Sequence, residues 1–215
     1  HELRSPLGAI RSLLEVVMDR SLGEEMNAYD SFLQRADARI ENLVGMVGQL
    51  LTLSRVDEQR TTESCEPMAP AQVVEEVAKL YEDQARSRGI TIRCTLSDGD
   101  ERVRLDRDEW QTIVGNLIGN AVKYNKPNGM VEIVLQREQG WLRLDVRDTG
   151  IGMSSDGARR VFEEFYRERR AETRDTEGNG LGLSIVQRLV QRKGGSIDVS
   201  SVLGEGTSFC VRLPV

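Results

Sequence analysis

Two asparagines and a lysine recur at helical spacing in the second half of the chain. Asn116, Asn120 and Lys123 stand at positions i, i+4 and i+7, which places them on one face of a helix. Amide oxygens suit a hard cation such as Mg²⁺, and an ammonium group attracts phosphate. This face is suited to a metal–triphosphate, although asparagines on a helix are also common as ordinary surface residues.

Two glycine-rich segments follow this helix. Residues 148–152, DTGIG, come directly after a predicted strand, where the glycines allow a tight turn and the close approach of a ligand. The carboxylate at the start of this segment can accept a hydrogen bond from an amino group such as that of adenine. Residues 178–182, GNGLG, open a predicted helix whose first N–H groups can cradle phosphate. Each segment alone is equally typical of an ordinary turn.

A charged segment connects the two glycine-rich segments. Residues 161–167, VFEEFYR, fit an amphipathic helix with Phe162 and Phe165 in the core. The residues that continue to position 175 are rich in arginine and acidic side chains. Such a stretch is typical of a mobile lid over a ligand or of a disordered loop.

In this order the four motifs resemble the ATP-binding domain of sensor histidine kinases, within the wider family of gyrase, heat-shock protein 90 and mismatch-repair ATPases. The resemblance runs nearly from end to end of the second half and includes the closing segments 194–201 and 204–214. It implies ATP and Mg²⁺ as cofactors. The nucleotide-binding residues that it implies are Asn116, Asn120, Lys123, Tyr124, Asp148, Gly150, Gly152, Gly178, Gly180, Leu181, Gly182 and Thr207.

At the phosphate end, the resemblance implies that Asn120 ligates Mg²⁺ and that Asn116 assists at the phosphates. Lys123 would meet phosphate, and Arg167 would be the lid arginine near the γ-phosphate. Members that hydrolyse ATP resemble one another in carrying Glu where this chain has Asn116. An amide cannot take a proton from water as that Glu does. The site is therefore expected to hold ATP for an outside nucleophile.

At the adenine end, the resemblance implies that Asp148 binds the amino group of the base. Thr207 would support that contact directly or through water, and Tyr124 would flank the ring. The glycines would shape the hinges of the lid.

The single histidine opens the sequence. Residues 1–7, HELRSPL, resemble the phosphoacceptor box of sensor histidine kinases. If the leucines of this segment are seam positions in a helical bundle, His1 and Ser5 face outward, one turn apart. The resemblance implies that Glu2 fixes the tautomer of the imidazole so that Nε2 attacks the phosphoryl group. Ser5 stands where members with phosphatase activity orient water.

Together these motifs predict ATP-dependent autophosphorylation on His1. The phosphoryl group would then pass to an aspartate of a response regulator receiver domain. Three alternatives stay open: a degenerate kinase that acts as a dimeric scaffold or nucleotide sensor, a phosphatase-dominant regulator, and a chaperone-like or DNA-repair ATPase. Asn116 and the heptad helices argue against the last.

The residues that must position His1 form heptads. Seam positions are spaced 4-3-4-3 from Leu3 to Val17 and 3-4-3-4-3-4 from Leu33 to Ser54, and all but Ser54 are apolar, which predicts two helices joined by a turn at 21–24. Two helices bury little surface, so we expect a homodimer in which two hairpins form a four-helix bundle. A lone hairpin packed on the rest of the chain is the alternative.

The domain plan has three parts: dimerisation and phosphotransfer helices over 1–60, a linker or first edge strand over 61–70, and a catalytic ATP-binding domain over 71–215. In the last part we predict helices at 71–88, 106–123 and 180–192, and strands at 90–96, 103–105, 130–136, 141–147, 196–202 and 207–213. Regular βαβ alternation is missing. The fold class is therefore α+β, an α/β sandwich with a mostly antiparallel sheet and helices on one face.

Composition narrows the setting. The net charge is −6 and the basic residues form no long run, which argues against nucleic-acid binding. Cys65, Cys94 and Cys210 lie far apart, so a reducing, cytoplasmic setting is expected. No apolar run approaches the roughly 20 residues needed to span a bilayer. We therefore expect no membrane contact by this part, and, because the first residue is His, a parent protein that can be an inner-membrane sensor.

Overall fold

The computed structural model describes residues 4–19, 26–56, 66–96, 102–168, 170, 173 and 178–215. The chain divides into two compact units between Thr52 and Leu53. Among the helices that are described, none is both long and apolar enough to cross a membrane.

The first unit contains the predicted helix α1 (Arg4–Met18) and most of the predicted helix α2 (Asp30–Val56), with a 3₁₀ turn (Met26–Tyr29) before α2. Ile10, Tyr29 and Ala36 are buried. Many other apolar side chains of the two helices are exposed in the single chain: Leu7, Leu14, Met18, Leu33, Ile40, Val44 and Val47. The predicted turn at 21–24 lies outside the described residues.

The second unit confirms the predicted α+β class. Its sheet has the order β2-β4-β5-β7-β6, in which only the β2–β4 pair of the described strands is parallel. These strands are β2 (Thr91–Leu96), β4 (Met130–Glu138), β5 (Trp141–Asp148), β6 (Ser196–Val202) and β7 (Gly206–Pro214). A second, two-stranded sheet joins β1 (Pro67–Met68) to β3 (Val103–Arg104).

Helices cover one face of the larger sheet. They are α3 (Pro70–Leu80), α4 (Glu82–Ser87), α5 (Arg107–Lys123), α6 (Ser155–Arg160) and α7 (Gly182–Arg192). Alternate residues of β4 and β5 are buried, among them Ile133 and Leu144, and Leu117 of α5 and Ile185 of α7 are fully buried as well. This alternation of buried and more exposed residues explains why the strands of this sheet could be predicted from the sequence.

Two helical predictions need correction, and one short helix was not predicted. The helix expected over 71–88 is divided at Tyr81, which separates α3 from α4. The helix expected from Gly180 begins at Gly182 instead, because Gly180 has φ +74°, which an α-helix does not accommodate. The short α6 was not predicted, although Ser154 caps it by accepting a hydrogen bond from the N–H of Gly157 (2.9 Å).

The prediction of a helix over 161–167 was wrong, since turns occupy residues 161–165. Phe165 has φ +60° and its N–H donates to the carbonyl of Gly180 (3.0 Å), so a contact with a distant segment replaces the helical bond. Phe162 is half-buried and its ring meets Phe209 edge to face, with the centroids 6.3 Å apart. Phe165 is exposed, so the two rings do not share a core.

Helix α5 is fixed at both ends. At its start, Asp106 is the N-cap as predicted, and its Oδ1 accepts from the N–H groups of Asp108 and Glu109 at 3.0 Å. At its end, the guanidinium of Arg88 donates to the carbonyls of Val122 (2.7 Å), Lys123 (3.0 Å) and Asn125 (2.6 Å). Carbonyls at and just after the last turn of a helix have few helical partners, so one arginine supplies donors to three carbonyls at this end.

Replacing Arg88 with methionine should lower the free energy of unfolding by about 2 kcal/mol, since partly buried carbonyls lose a charged donor. Urea unfolding measures this. Arg86→Met is the matched control, because Arg86 is exposed and its ion pair with the exposed Asp83 is long at 3.7 Å. This variant should change the free energy of unfolding by less than about 0.5 kcal/mol. Similar costs for the two variants would contradict the capping role.

Candidate nucleotide-binding site

Residues from three separate segments meet around the C-terminal half of α5. The amide oxygen of Asn116 lies where a Cβ on Gly182 would stand, and Nζ of Lys123 is 2.6 Å from the position of a Cβ on Gly178. The backbone of Gly150 approaches the carbonyl of Tyr124 in the same way. The predicted helix face and both glycine-rich segments are therefore side by side.

Asn116 and Lys123 mark one end of the site. Nδ2 of Asn116 donates to the carbonyl of Thr112 (2.8 Å), which directs Oδ1 toward Gly182. Nζ of Lys123 is 5.2 Å from the centre of the Tyr124 ring. Asn120 is half-buried one turn before the end of α5. Asn116 and Lys123 can approach the backbone at positions 182 and 178 because these positions carry no side chain.

The donor set at this end suits Mg²⁺ held together with phosphate. Within the part of the chain that is described, no cluster of three or more His, Cys, Asp or Glu side chains could hold a metal ion. A cation bound here would rely on the amide oxygen of Asn120 and on the oxygens of a bound phosphate, both of which are hard ligands.

Asp148 marks the other end of the site, at the last position of β5. Its Oδ1 accepts from the N–H groups of Gly150 (2.8 Å) and Thr207 (3.3 Å). Burial raises the pKa of Asp148 to about 6, although both N–H donors act to lower it. Both of these backbone donors bind Oδ1, so Oδ2 can accept from an amino group of a ligand.

Glycine is required in the turn after Asp148. Gly152 has φ +61°, and a Cβ there would overlap the carbonyl of Val202. A Cβ on Gly150 would be 2.6 Å from Oδ1 of Asp148. The turn can therefore close against Val202 and Tyr124 only with glycine at both positions.

Two further residues hold this end of the site and were not identified from the sequence. Ser201 Oγ is 3.0 Å from Oγ1 of Thr207 and accepts from the N–H of Met153 (2.8 Å). Asn125 is buried, and its Nδ2 donates to the carbonyl of Met130 (3.0 Å) while its Oδ1 accepts from the N–H of Lys126 (2.9 Å). Asn125 is the last residue of the asparagine–lysine motif and Ser201 is the last residue of the closing segment 194–201, but neither was given a role from the sequence.

Arg167 lies beside Tyr124. Its Nη1 donates to the carbonyl of Gly178 (2.8 Å), and its guanidinium also hydrogen-bonds the Tyr124 phenol. Burial raises the pKa of Tyr124, and the charge and hydrogen bond of Arg167 act in the opposite direction. The predicted lid arginine is thus near the end of the site that Lys123 marks.

The remaining predicted residues differ in position. Gly180 lies against the backbone of Phe165, while Leu181 is fully buried and its N–H donates to Oδ1 of Asn179 (3.2 Å), so only its backbone is near the site. Ser5 lies in α1, in the first unit. His1 and Glu2 lie outside the described residues.

Family comparisons match both parts of the chain. Residues 105–215 match the model of histidine kinase-, DNA gyrase B- and HSP90-like ATPases, and residues 1–59 match the model of the His Kinase A phosphoacceptor domain. The sensor histidine kinase RppB of Synechocystis is 33% identical over 217 residues, which cover all of this chain and 47% of RppB. The chain thus spans less than half the length of this relative.

Solved structures agree with this result. Full-length ShkA in complex with AMPPNP is 29% identical with a TM-score of 0.74, over all of this chain and 44% of ShkA. The histidine kinase AdeS of Acinetobacter baumannii matches with a TM-score of 0.80 over all of this chain and 97% of AdeS. At 23% identity, the second match establishes a shared fold.

Proposed function

This chain belongs to the sensor histidine kinases, and from that premise we propose that it transfers the γ-phosphoryl group of ATP to His1. The phosphoryl group then passes to an aspartate on the receiver domain of a response regulator. The observation that carries the proposal is the Asn116 amide beside Gly182, whose Nδ2 donates to the Thr112 carbonyl. An amide cannot serve as a general base for water, so the bound ATP needs another acceptor.

Asp148 would recognise the adenine amino group through its free carboxylate oxygen, with Thr207 supporting it and Tyr124 flanking the ring. At the phosphate end, Lys123 and Arg167 would offset the charge of the triphosphate. Asn120 would ligate Mg²⁺, which neutralises phosphate charge when it is bound. The first N–H groups of α7, exposed by the glycines before it, would face the phosphates.

In the chemical step, Glu2 would accept a hydrogen bond from Nδ1–H of His1, which leaves the lone pair on Nε2 free. Nε2 attacks the γ-phosphorus, the bond from that phosphorus to the bridging oxygen breaks, and ADP leaves. Ser5, one helical turn from His1, would orient water in the opposing phosphatase reaction, in which phosphate is hydrolysed from the response regulator. This activity would belong to the cytoplasm, where ATP and response regulators occur.

Two copies of the chain would work together. Ile40 is 45% exposed and Val44 is 64% exposed on α2, which leaves apolar surface uncovered in one chain. Pairing of two helical hairpins into a four-helix bundle would bury that surface. We propose residues 1–60 as this dimerisation and phosphotransfer part, 61–70 as a linker, and 71–215 as the ATP-binding domain.

Incubation with γ-labelled ATP and Mg²⁺ tests the proposal. We expect a label on the protein that is lost in acid and stable in alkali, and that passes to a receiver domain on mixing. His1→Gln should bind ATP as the unmodified protein does but carry no label. Absence of label with normal ATP binding would indicate a scaffold or sensor, and sustained phosphate release without label would indicate an ATPase.

A further inference from the structure

Three polar residues form a cluster next to the turn that follows Asp148, and none of them has a role in the proposed site. The side chains of Arg170 and Glu168 are 21% and 17% exposed, and Thr173 is 8% exposed. Burying charge is costly unless partners satisfy it. The partners that these residues have therefore indicate what the cluster holds in place.

Arg170 and Glu168 bind the two sides of the turn. Nη2 of Arg170 donates to the carbonyl of Gly152 (2.7 Å), and Oε1 of Glu168 accepts from the N–H of Ser154 (3.3 Å). The two side chains also approach each other, with Nη2 3.7 Å from Oε2. Gly157 fits against the Glu168 carboxylate only because it lacks a Cβ.

Thr173 fixes the backbone that carries these two side chains. Its hydroxyl donates to the carbonyl of Glu168 (2.7 Å) and accepts from the N–H of Arg170 (3.0 Å). Glu168 directly follows Arg167, whose guanidinium contacts Gly178. The cluster thus ties the backbone at Arg167 to the turn after Asp148.

We propose that Glu168, Arg170 and Thr173 are positioning residues that set the distance between Arg167 and the Asp148 turn. Resting on the proposed function, this assigns the cluster a part in selecting a nucleoside triphosphate over a diphosphate. Asp148 meets the base of either nucleotide, whereas Arg167 meets only the γ-phosphate. A long arginine side chain delivers its charge to that group only if its backbone is held in place.

Titration calorimetry of ATP and ADP tests this in the full chain. Arg170→Met keeps an unbranched apolar stem but removes the charge and the donors, and it should weaken ATP binding about 10-fold and ADP binding less than about 3-fold. Arg159→Met is the matched control, because Arg159 is exposed on nearby α6 and pairs only loosely with Asp156 at 3.4 Å. It should change neither affinity more than about 2-fold. Equal losses for ATP and ADP, or losses equal to the control, would overturn the proposal.

A second pair of variants covers the case in which Arg170→Met fails to fold. Thr173→Val removes the hydroxyl at nearly constant volume, whereas Thr173→Ser keeps it. The valine variant should lose ATP preference by several-fold, as one hydroxyl with two hydrogen bonds is removed, and the serine variant should retain it. If the two behave alike while both melt as folded proteins, the cluster is only structural.

These measurements are separate from the test of the proposed function, because nucleotide binding does not require His1. Failure to label His1 together with an ATP preference that depends on Arg170 would refute the kinase proposal alone. Labelling of His1 with an ATP preference that is insensitive to Arg170 and Thr173 would refute the positioning role alone.

Discussion

Replacing Asp148 with asparagine is expected to weaken ATP binding about 100-fold and to stabilise the nucleotide-free protein by about 2 kcal/mol at pH 7. Asparagine offers one oxygen to the N–H groups that now bind Oδ1, those of Gly150 and Thr207. It has no second oxygen for the adenine amino group. It also carries no charge, so burial no longer penalises the side chain. Function and stability should therefore change in opposite directions.

The stability change has a defined pH dependence. The pKa of Asp148 is about 6 in the folded protein against an ordinary value of 3.8, so the folded state binds more protons than the unfolded state between these values. The contribution of this residue to stability consequently falls as pH rises from about 4 to 6 and is constant above. Urea unfolding at pH 7.5 should show the advantage of the asparagine variant, and unfolding near pH 4 should not. A gain of equal size at both pH values would contradict this account.

ATP affinity should also depend on the protonation of Asp148, but it should fall as the pH falls, whereas stability rises. As pH falls through about 6, the carboxyl takes a proton and loses acceptor strength, so the unmodified protein should bind ATP more weakly. The pH profile of Asp148→Asn should lack this step. Asp156→Asn is the matched control, since Asp156 is exposed on α6. This variant should change ATP affinity by less than about twofold and the free energy of unfolding by less than about 0.5 kcal/mol.

Replacing Gly206 with alanine is expected to lower the free energy of unfolding by about 4 kcal/mol, whereas Gly204→Ala should cost about 1 kcal/mol. Both glycines have positive φ, +131° and +82°, and they stand in the same β6–β7 turn. A Cβ on Gly206 would overlap the carbonyl of Asp148, while a Cβ on Gly204 meets open space. Comparing the two alanine variants therefore distinguishes the cost of a backbone clash from the general cost of a positive φ.

The clash at Gly206 cannot be relieved cheaply. The carbonyl of Asp148 belongs to β5, and Asp148 pairs with Thr207 across the sheet. Moving either strand breaks the ladder and displaces the carboxylate. Denaturant unfolding and ATP calorimetry of both variants measure the effect, and Gly206→Ala should bind ATP undetectably. Equal stability of the two variants would show that the turn has room for a side chain.

The sequence was most informative where the signal is local. The Asp106 cap and the alternating strands predicted α5 and the antiparallel pairs, because caps and face alternation lie within a few residues. Phe165 shows the limit of such patterns. Its apolar spacing indicated a helix, but its N–H binds the Gly180 carbonyl, a contact between segments that no local pattern contains.

The same distinction applies to the site. The motif residues that meet around α5 were identified, since each motif is contiguous and its glycines are conspicuous. Arg88 and Ser201 were missed, because Arg88 acts on carbonyls 34 to 37 residues away and Ser201 on an N–H 48 residues away. Their roles depend on the pairing of distant strands, including the parallel β2–β4 pair, which periodicity does not specify.

The position of β7 has a consequence for synthesis on the ribosome. This strand, Gly206–Pro214, lies inside the sheet between β5 and β6, and the N–H of Thr207 binds the carboxylate of Asp148, 59 residues earlier. In a nascent chain that has emerged only as far as α7, β5 pairs with β4 but does not yet have β7 on its other side. Under the proposed function Asp148 and Thr207 hold the base, so such a chain would lack a complete site, and ATP would stabilise this unit only after the strand that begins at Gly206 has left the exit tunnel.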